Sequence, residues 1–279
     1  MPTPTIPVQS IRQPAATGPG KALARSVTAW FIVAAAGQLM FVAYIAAFYG
    51  RAAIGGDISR WNDVMGVGLI AGDTMSNGVL AAHLLFAAFI TLSGLIQLIP
   101  QIRARVPRFH RWNGRAYMVA AAIMAMGGLW LTWGRVDHFY ATLGKLGTTV
   151  NGLLILYCAT KALATARSRN FAAHRRWALR LFMVVSGVWF LRILMILWVL
   201  VNQGPVGFGD DLGGPAWIML TFLQFLIPLG VLELYFRAQA SSSNRRRTAT
   251  ATLIAVCTVA MAVGLTFTTI GMWLPRMGG

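Results

Sequence analysis

Seven apolar stretches, each about 20 residues long, run through this chain and leave few folds open to it. Such a stretch crosses a membrane as a helix, because a helix satisfies its backbone N–H and C=O groups internally. The chain has 279 residues, of which 57% are hydrophobic and 11% are charged, and this composition excludes an ordinary soluble domain. The predicted spans are 26–49, 78–99, 116–134, 147–165, 178–201, 216–236 and 249–272. We therefore predict an all-α, polytopic transmembrane helix bundle of about seven spans.

A short motif occurs twice, once before the third apolar run and once before the fifth. Its first copy is Phe109-His110-Arg111-Trp112-Asn113-Gly114-Arg115. Its second copy is Ala173-His174-Arg175-Arg176-Trp177-Ala178-Leu179-Arg180. Internal repeats of this kind are typical of transporter and redox folds in membranes. We predict a core of two duplicated helix hairpins, spans two and three matching spans four and five.

The two motif helices are predicted to begin before their apolar runs. Pro107 suits a first helical position, and Asn170 is a good N-cap. The predicted helices are 107–134 and 171–201. At 1.5 Å per residue they are about 42 and 46 Å long, more than the ~30 Å hydrocarbon core. His110 and His174 then both fall at the fourth helical position, at matching depth near the inner interface.

Basic residues are distributed very unevenly between the two sides. The outer segments hold only Arg51, Arg60, Arg135, Lys145 and Arg276. Every other Lys and Arg, except the intramembrane Arg192, falls on the side of the N-terminus, while all six Asp fall outside. Basic residues are retained in the cytoplasm. We predict a bacterial inner-membrane protein with a cytoplasmic N-terminus and a periplasmic C-terminus.

The net charge of +17 follows from this topology and does not indicate a nucleic-acid partner, because it is spread over short loops. The same loops attract anionic lipid headgroups, at roughly 1 kcal/mol per basic residue near the surface. The domain boundaries follow from composition. They are a disordered cytoplasmic tail at 1–24, the bundle at 25–237 with its core motif region at 75–200, a flexible linker at 238–248, and a peripheral seventh span with a short C-terminal end at 249–279.

Polar groups inside the spans are candidates for function, since lipid penalises them. Gln38 is predicted to face inward. His83 lies roughly one and a half turns below the outer end of its span, and it either handles a ligand or proton or bonds a neighbouring carbonyl. Arg192 lies about 27 Å past His174 along its helix and at the depth of His83 and Gln224.

These three side chains predict a polar pocket in the outer half of the bundle. Arg192 is then free to hold a carboxylate or phosphate, because no intramembrane acid is available to it. Snorkelling towards Asp210 or Asp211 is the alternative. Glu233, the only glutamate, is predicted to pair with an inner arginine.

Each motif copy also places a Trp three residues before an Arg, so that the two share one helix face. The simplest interpretation is that Trp marks the interface and Arg marks the cytoplasmic side. The alternative is a site in which His110 and His174 face one another across helices. Arg115 and Arg180 would then hold an anion, either a lipid phosphate or a haem propionate.

These residues resemble a bacterial family of predicted membrane proteins catalogued as a domain of unknown function, serial number two thousand three hundred and six. The resemblance rests on the His83 span, on the two His-Arg motifs and on Arg192, and it covers roughly residues 75–200. The family carries no established activity. The resemblance therefore implies the topology and highlights these residues.

A looser likeness is to cytochromes of the b561 type, whose bundles hold b-type haems between paired transmembrane histidines. That likeness implies haem b, with His110 and His174 as metal ligands. The outer pair fits poorly, because the fourth span has no histidine and His83 is left to pair with His138.

Three functions remain open. The first is electron transfer, with haem at the inner histidines and a quinone or second centre near His83 and Arg192. The second is transport or lipid and anion binding at Arg192, with His83 changing charge with pH. The third is a non-catalytic membrane subunit whose small residues, Gly127 and Gly128, allow close helix packing. No hydrolytic motif is present.

Overall fold

The computed structural model describes residues 18–64, 68–134, 142–209 and 213–278, and all regular structure in these ranges is helical. The helices are α1 (Gly18–Tyr44), α2 (Arg51–Ile54), α3 (Thr74–Leu98), α4 (Pro100–Arg105), α5 (Pro107–Gly134), α6 (Thr142–Arg167), α7 (Phe171–Val185), α8 (Gly187–Asn202), α9 (Pro215–Ala240), α10 (Asn244–Thr268) and α11 (Leu274–Met277). Short π-helical turns, Ile45–Gly50 and Thr269–Trp273, connect α1 to α2 and α10 to α11.

The membrane-spanning bundle predicted from the sequence is confirmed. Six helices are long and apolar enough to cross a membrane, and the bent pair of α7 and α8 brings the number to seven if the pair crosses as one span. The predicted helix starts are also confirmed. α5 begins at Pro107, and the Asn170 side chain accepts a hydrogen bond from the Ala173 N–H at the start of α7.

The fifth span is not the single helix predicted for 171–201. α7 and α8 meet at Ser186 at an angle of 52°. The N–H of Ser186 donates to the carbonyls of Phe182 and Val184, which tightens the backbone at this point. Sharp helix kinks commonly occur at Ser and Gly pairs, and Gly187 follows directly. The straight helix of about 46 Å was therefore a wrong prediction.

The chain ends are more helical than predicted. α1 begins at Gly18, with Pro19 in its first turn, where proline fits well. Residues 18–24 of the predicted tail are therefore helical, and residues 1–17 lie outside the described ranges. The predicted linker 238–248 shortens to residues 241–243, because Ser243 caps α10 by accepting a hydrogen bond from the Arg246 N–H.

The seventh span, α10, was predicted to be peripheral but packs along α1 and against α8 and α9. Two glycines make the approach close. A methyl group on Gly37 would lie 2.7 Å from side-chain atoms of Leu265 and Trp189, and one on Gly264 would lie 2.7 Å from Ile193. α10 is therefore part of the bundle.

The remaining helices pack as neighbours along the chain. α3 lies against α5, α5 and α7 lie against α6, and α9 contacts α6, α7 and α8. The buried core between these helices includes Ile90, Ala121, Ile155, Val184 and Phe225. The duplication of the two hairpins stays a prediction. The first hairpin returns through the straight α5, whereas the second returns through the bent pair.

The long outer segment 50–77 partly covers the bundle. A 3₁₀ turn, Ile58–Asp63, brings Trp61 inward, where its Nε1 donates to the Tyr49 carbonyl at 3.2 Å. Trp61 joins an aromatic cluster with Tyr44, Phe48, Tyr49 and Trp273. Residues 65–67 lie outside the described ranges.

Candidate functional site

A pocket of about 260 Å³ lies between α3 and α5. Apart from His83 and Gly127 its lining is apolar and consists of Val79, Ala82, Ile123, Met124 and Met126. His83 is nine residues from the start of α3, and Gly127 is seven from the end of α5, so both lie about 10–14 Å from these helix ends, which are predicted to be the outer ones. Ile123 and Met126 are exposed on the bundle surface. The pocket therefore opens sideways, towards lipid.

The imidazole of His83 packs against α5 at Gly127 and Gly128. The Cβ position of Gly127 is 3.6 Å from His83 Nδ1, and that of Gly128 is 3.5 Å from His83 Cε1. An alanine methyl would make an ordinary contact at either position, and a longer side chain would press on the ring. Gly127 and Gly128, which were predicted to allow close helix packing, therefore also form the surface against which His83 packs.

His83 has no hydrogen-bond partner among the described residues, and its Nδ1 is sealed from solvent. The predicted alternative, a bond to a neighbouring carbonyl, is therefore not present. A neutral imidazole carries one N–H donor and one acceptor nitrogen. Nδ1 is unsatisfied in an apolar setting, where an unpaired polar group costs about 1–3 kcal/mol. Nε2 is not among the sealed atoms, so a ligand with a polar head group would bond that nitrogen.

Arg192 supplies positive charge near this pocket. Its neighbour Phe41 belongs to the same apolar cluster as Leu80 and Leu84, which are close to His83 along α3. The guanidinium lies 5.0 Å from the centre of the Phe41 ring, and its NH1 donates to the Val188 carbonyl at 3.2 Å. No carboxylate in the described ranges pairs with it, and Asp210 and Asp211, the predicted snorkelling partners, lie outside those ranges. Arg192 therefore favours negative charge in its neighbourhood.

Gln224 does not join this group, which corrects the prediction of one shared pocket. Its Oε1 lies 3.3 Å from the Cβ position of Gly187, beside the amide of Asn151. Gly187 and Arg192 are five residues apart on α8 and so point about 140° away from one another. The predicted polar region is therefore two regions, one on each side of α8.

At the other end of the bundle, predicted to be the inner one, His110 and His174 occupy the fourth residues of α5 and α7. His174 Nδ1 donates to the Ala162 carbonyl at 2.9 Å, and in a neutral imidazole with that tautomer Nε2 is the acceptor nitrogen. His110 Nδ1 is sealed and has no partner, and its own carbonyl accepts from Gln97 Nε2 at 3.0 Å. No hydrogen bond joins the two imidazoles in the part of the chain that the structure describes.

The repeated Trp and Arg pairs form the same contact in both helices. The Arg115 guanidinium lies 5.1 Å from the Trp112 ring, and that of Arg180 lies 4.6 Å from the Trp177 ring. A guanidinium stacked on an indole is held in place but keeps its N–H groups free for an anion. The two copies thus share this local geometry.

The two arginines differ in their partners. Arg180 Nε donates to Glu233 Oε1 at 2.7 Å, which confirms the predicted pairing of the only glutamate with an inner arginine. Arg115 has no acidic partner among the described residues. Of the two arginines predicted to hold an anion, Arg115 is therefore the one that remains available.

The remaining polar candidates are easily placed. Gln38 faces inward as predicted, with 2% of its surface exposed. Cys158 is a buried free thiol, and Cys257 is a partly buried one. In the part of the chain that the structure describes, no three His, Cys, Asp or Glu side chains lie close enough to share a metal. His138, the poorly fitting partner that the b561 likeness leaves for His83, lies outside the described residues.

Some of the site was missed by sequence reasoning. The apolar pocket walls, such as Val79 and Met126, carry no chemical signal and look like any other lipid-facing residues. The break at Ser186 was missed although its signal, a Ser-Gly pair inside an apolar run, was visible in the sequence.

Comparison with known proteins supports the architecture. The profile of a family described as Predicted membrane protein (DUF2306) matches residues 80–234, which is more than half of the chain. The match extends past the predicted 75–200 region and includes most of α9. No curated protein and no solved structure shows significant similarity to the chain, so the likeness to b561 cytochromes has no support beyond the residues themselves. The chain belongs to the DUF2306 family of predicted membrane proteins.

Proposed function

We propose that this protein is an inner-membrane component of electron transfer that binds a quinone-type lipid in the His83 pocket. The observation that carries the proposal is the unpartnered imidazole at the base of an apolar pocket that opens towards lipid. A quinone has an apolar tail, a flat ring and carbonyl oxygens. An N–H of His83 would donate to one of those carbonyls.

The size of the pocket agrees with this class of ligand. At about 260 Å³ it is slightly below the ~300–1,000 Å³ of pockets that enclose whole drug-sized molecules. The pocket has room for the quinone ring but not for a long isoprenoid-type tail. The tail would extend out of the pocket across the exposed side chains of Ile123 and Met126. Arg192 nearby would favour negative charge on the head group.

The experiment is a binding titration of the detergent-purified protein with decylubiquinone, a short-tailed quinone. Trp130, one helical turn from Gly127 and partly exposed, reports binding through quenching of its fluorescence. We expect saturable quenching in the wild type. Replacing His83 with leucine should raise the Kd about tenfold, because one buried hydrogen bond of about 1.4 kcal/mol is lost.

The matched control is Leu85→Ala, two residues along the same helix on a side chain that is 73% exposed. It should leave the Kd unchanged. Quenching that does not saturate in the wild type, or an equal Kd in the wild type and in His83→Leu, would rule out the His83 pocket as the quinone site.

A b-type haem between His110 and His174 is the second candidate, and one contact favours it. Haem ligands commonly donate their other ring nitrogen to a carbonyl, as His174 Nδ1 does to Ala162, and this leaves Nε2 for iron. Nδ1 of His110 makes no such bond among the described residues, so the orientation of that ring is not fixed in the same way. Arg115 is available for a propionate. Such a haem would supply one-electron chemistry at the inner end of the bundle.

Absorption spectra test the haem proposal. Protein purified from haem-replete cells should show stoichiometric b-type bands after reduction with dithionite. The bands should disappear in His110→Ala and in His174→Ala, while His83→Ala keeps them. A colourless wild-type preparation would exclude haem, and anion transport or lipid binding at Arg192 would become the leading alternative.

A further inference from the structure

Four exposed side chains lie on one face of the first turns of α5, and the proposed ligand sites do not account for them as a group. They are Arg108, Arg111, Trp112 and Arg115, at the helical spacing i, i+3, i+4 and i+7. With about 100° between successive residues, this spacing keeps all four within about 100° of the helix circumference and about 10 Å of its length. The four residues therefore form one continuous surface, which we call the basic stripe.

The basic stripe carries three positive charges that no carboxylate among the described residues neutralises. Within the described ranges the one acid at this end of the bundle is Glu233, and it accepts a hydrogen bond from Arg180 Nε. Trp112 is 69% exposed, and the Arg115 guanidinium lies 5.1 Å from its ring. This contact orients the guanidinium and leaves its N–H groups free. The charge of the stripe therefore favours an anion as its ligand.

The same face of α5 continues beyond the basic stripe as exposed apolar side chains. Val119, Ile123 and Met126 are 60, 38 and 56% exposed. They lie on the side of the stripe, because their positions around the helix differ from that of Arg108 by at most about 60°. From Arg115 to Met126 the helix rises by about 16 Å, which is close to half of the ~30 Å hydrocarbon core. The face therefore has the length and the polarity of one phospholipid in one leaflet.

We propose that this face of α5 binds an anionic phospholipid of the surrounding membrane. Its phosphate lies on the arginines of the basic stripe, where guanidinium groups can pair with phosphate oxygens. One acyl chain lies along Val119 and ends beside Ile123 and Met126, at the edge of the His83 pocket. A soluble anion would leave this apolar half of the face unused. A zwitterionic phospholipid would bring a cationic group towards three arginines, so the anionic lipid is the better match.

The second copy of the motif offers no equivalent surface. Arg180, which corresponds to Arg115, is bound to Glu233, and the Trp177 ring packs edge-on against Tyr157 with 5.4 Å between the ring centres. Trp177 is accordingly only partly exposed. We therefore expect one such lipid for each chain.

Native mass spectrometry of the detergent-purified protein tests the site by counting bound lipids. The protein is titrated with dioleoyl phosphatidylglycerol, which is anionic, or with dioleoyl phosphatidylcholine, which has the same chains and no net charge. We expect the first phosphatidylglycerol to bind with a Kd about tenfold lower, because each basic residue near the headgroups adds to the attraction for an anionic lipid. Combining Arg108→Gln, Arg111→Gln and Arg115→Gln should remove this preference.

The matched control combines Arg245→Gln, Arg246→Gln and Arg247→Gln. It removes the same charge from the first turn of α10, another membrane helix, and leaves the basic stripe intact. This variant should keep the tenfold preference, and melting curves show whether both variants fold. Equal Kd values for the two lipids in the wild type, a preference that survives in the α5 variant, or an equal loss in both variants would overturn the proposal.

A second test uses the wild-type protein alone. Phosphatidylglycerol with a photoreactive diazirine midway along one acyl chain should label the tryptic peptide 116–135, which contains the apolar half of the face. Unlabelled phosphatidylglycerol should reduce the labelling, whereas phosphatidylcholine and glycerol 3-phosphate should not. A label spread evenly over the helices, or displacement by glycerol 3-phosphate, would contradict a phospholipid bound on this face. Neither test contains quinone, so the outcome does not depend on the His83 pocket.

Discussion

Replacing Gly127 with leucine is expected to reduce quinone binding by at least about 100-fold. A leucine side chain at this position would fill the pocket next to the His83 ring, whose Nδ1 is only 3.6 Å from the Cβ position. The quinone ring would be excluded from the pocket and would also lose its hydrogen bond to His83. The combined loss of binding free energy is about 3 kcal/mol. The measurement is the Kd for decylubiquinone. Gly127→Ala should have a small effect, because 3.6 Å is an ordinary contact.

The control is Gly230→Leu in α9, where a new side chain meets open space. It adds the same volume to a membrane helix and should bind quinone as the wild type does. If Gly127→Leu folds, as judged by its melting curve, and still binds with the wild-type Kd, the ligand does not occupy this pocket.

Replacing Glu233 with glutamine is expected to lower the free energy of unfolding by roughly 2 kcal/mol. The carboxylate accepts a 2.7 Å bond from Arg180, and the Arg180 side chain is 18% exposed. This expected loss of stability lies between the roughly 0–1 kcal/mol that an exposed ion pair contributes and the roughly 3–5 kcal/mol that is lost when one partner of a buried ion pair is removed. The guanidiniums of Arg176 and Arg180 both lie within 5.3 Å of the Phe236 ring, so their repulsion would also grow.

A melting curve measures this effect, with an expected fall in Tm of roughly 4–8 °C. Arg180→Gln combined with Glu233→Gln should recover part of the loss, because no partly buried charge is left unpaired. Arg115→Gln is the matched control from the other motif copy, since Arg115 stacks on Trp112 but has no acidic partner among the described residues. An equal loss in Arg115→Gln would show that the stacked Arg, and not the ion pair, stabilises the bundle.

The parts of the fold that depend on local chemistry were predicted correctly. Hydrophobic length gave the spans, and Pro107 and Asn170 marked two helix starts. The glutamate pairing followed from the scarcity of acids on the inner side. Each of these inferences needs only residue type and position along one helix.

The relative rotation of helices is not encoded in such local signals. Gln224 and Arg192 were predicted to lie at similar depth, yet they lie on different sides of α8, and the helix bends by 52° at Ser186 between them and the start of the span. The His83 pocket depends on how α3 and α5 are rotated against one another. Only packing of the whole bundle determines that angle, so the pocket could not be derived from the sequence.

Photoaffinity labelling with an azido-quinone tests the His83 pocket most directly. After illumination, digestion and mass spectrometry, the label should lie in peptides of Thr74–Leu98 and Pro107–Gly134 and should decrease when decylubiquinone competes. Labelling should also be lost in Gly127→Leu and kept in Gly230→Leu. A label concentrated in other helices, or one that decylubiquinone does not displace, would contradict quinone binding at this site.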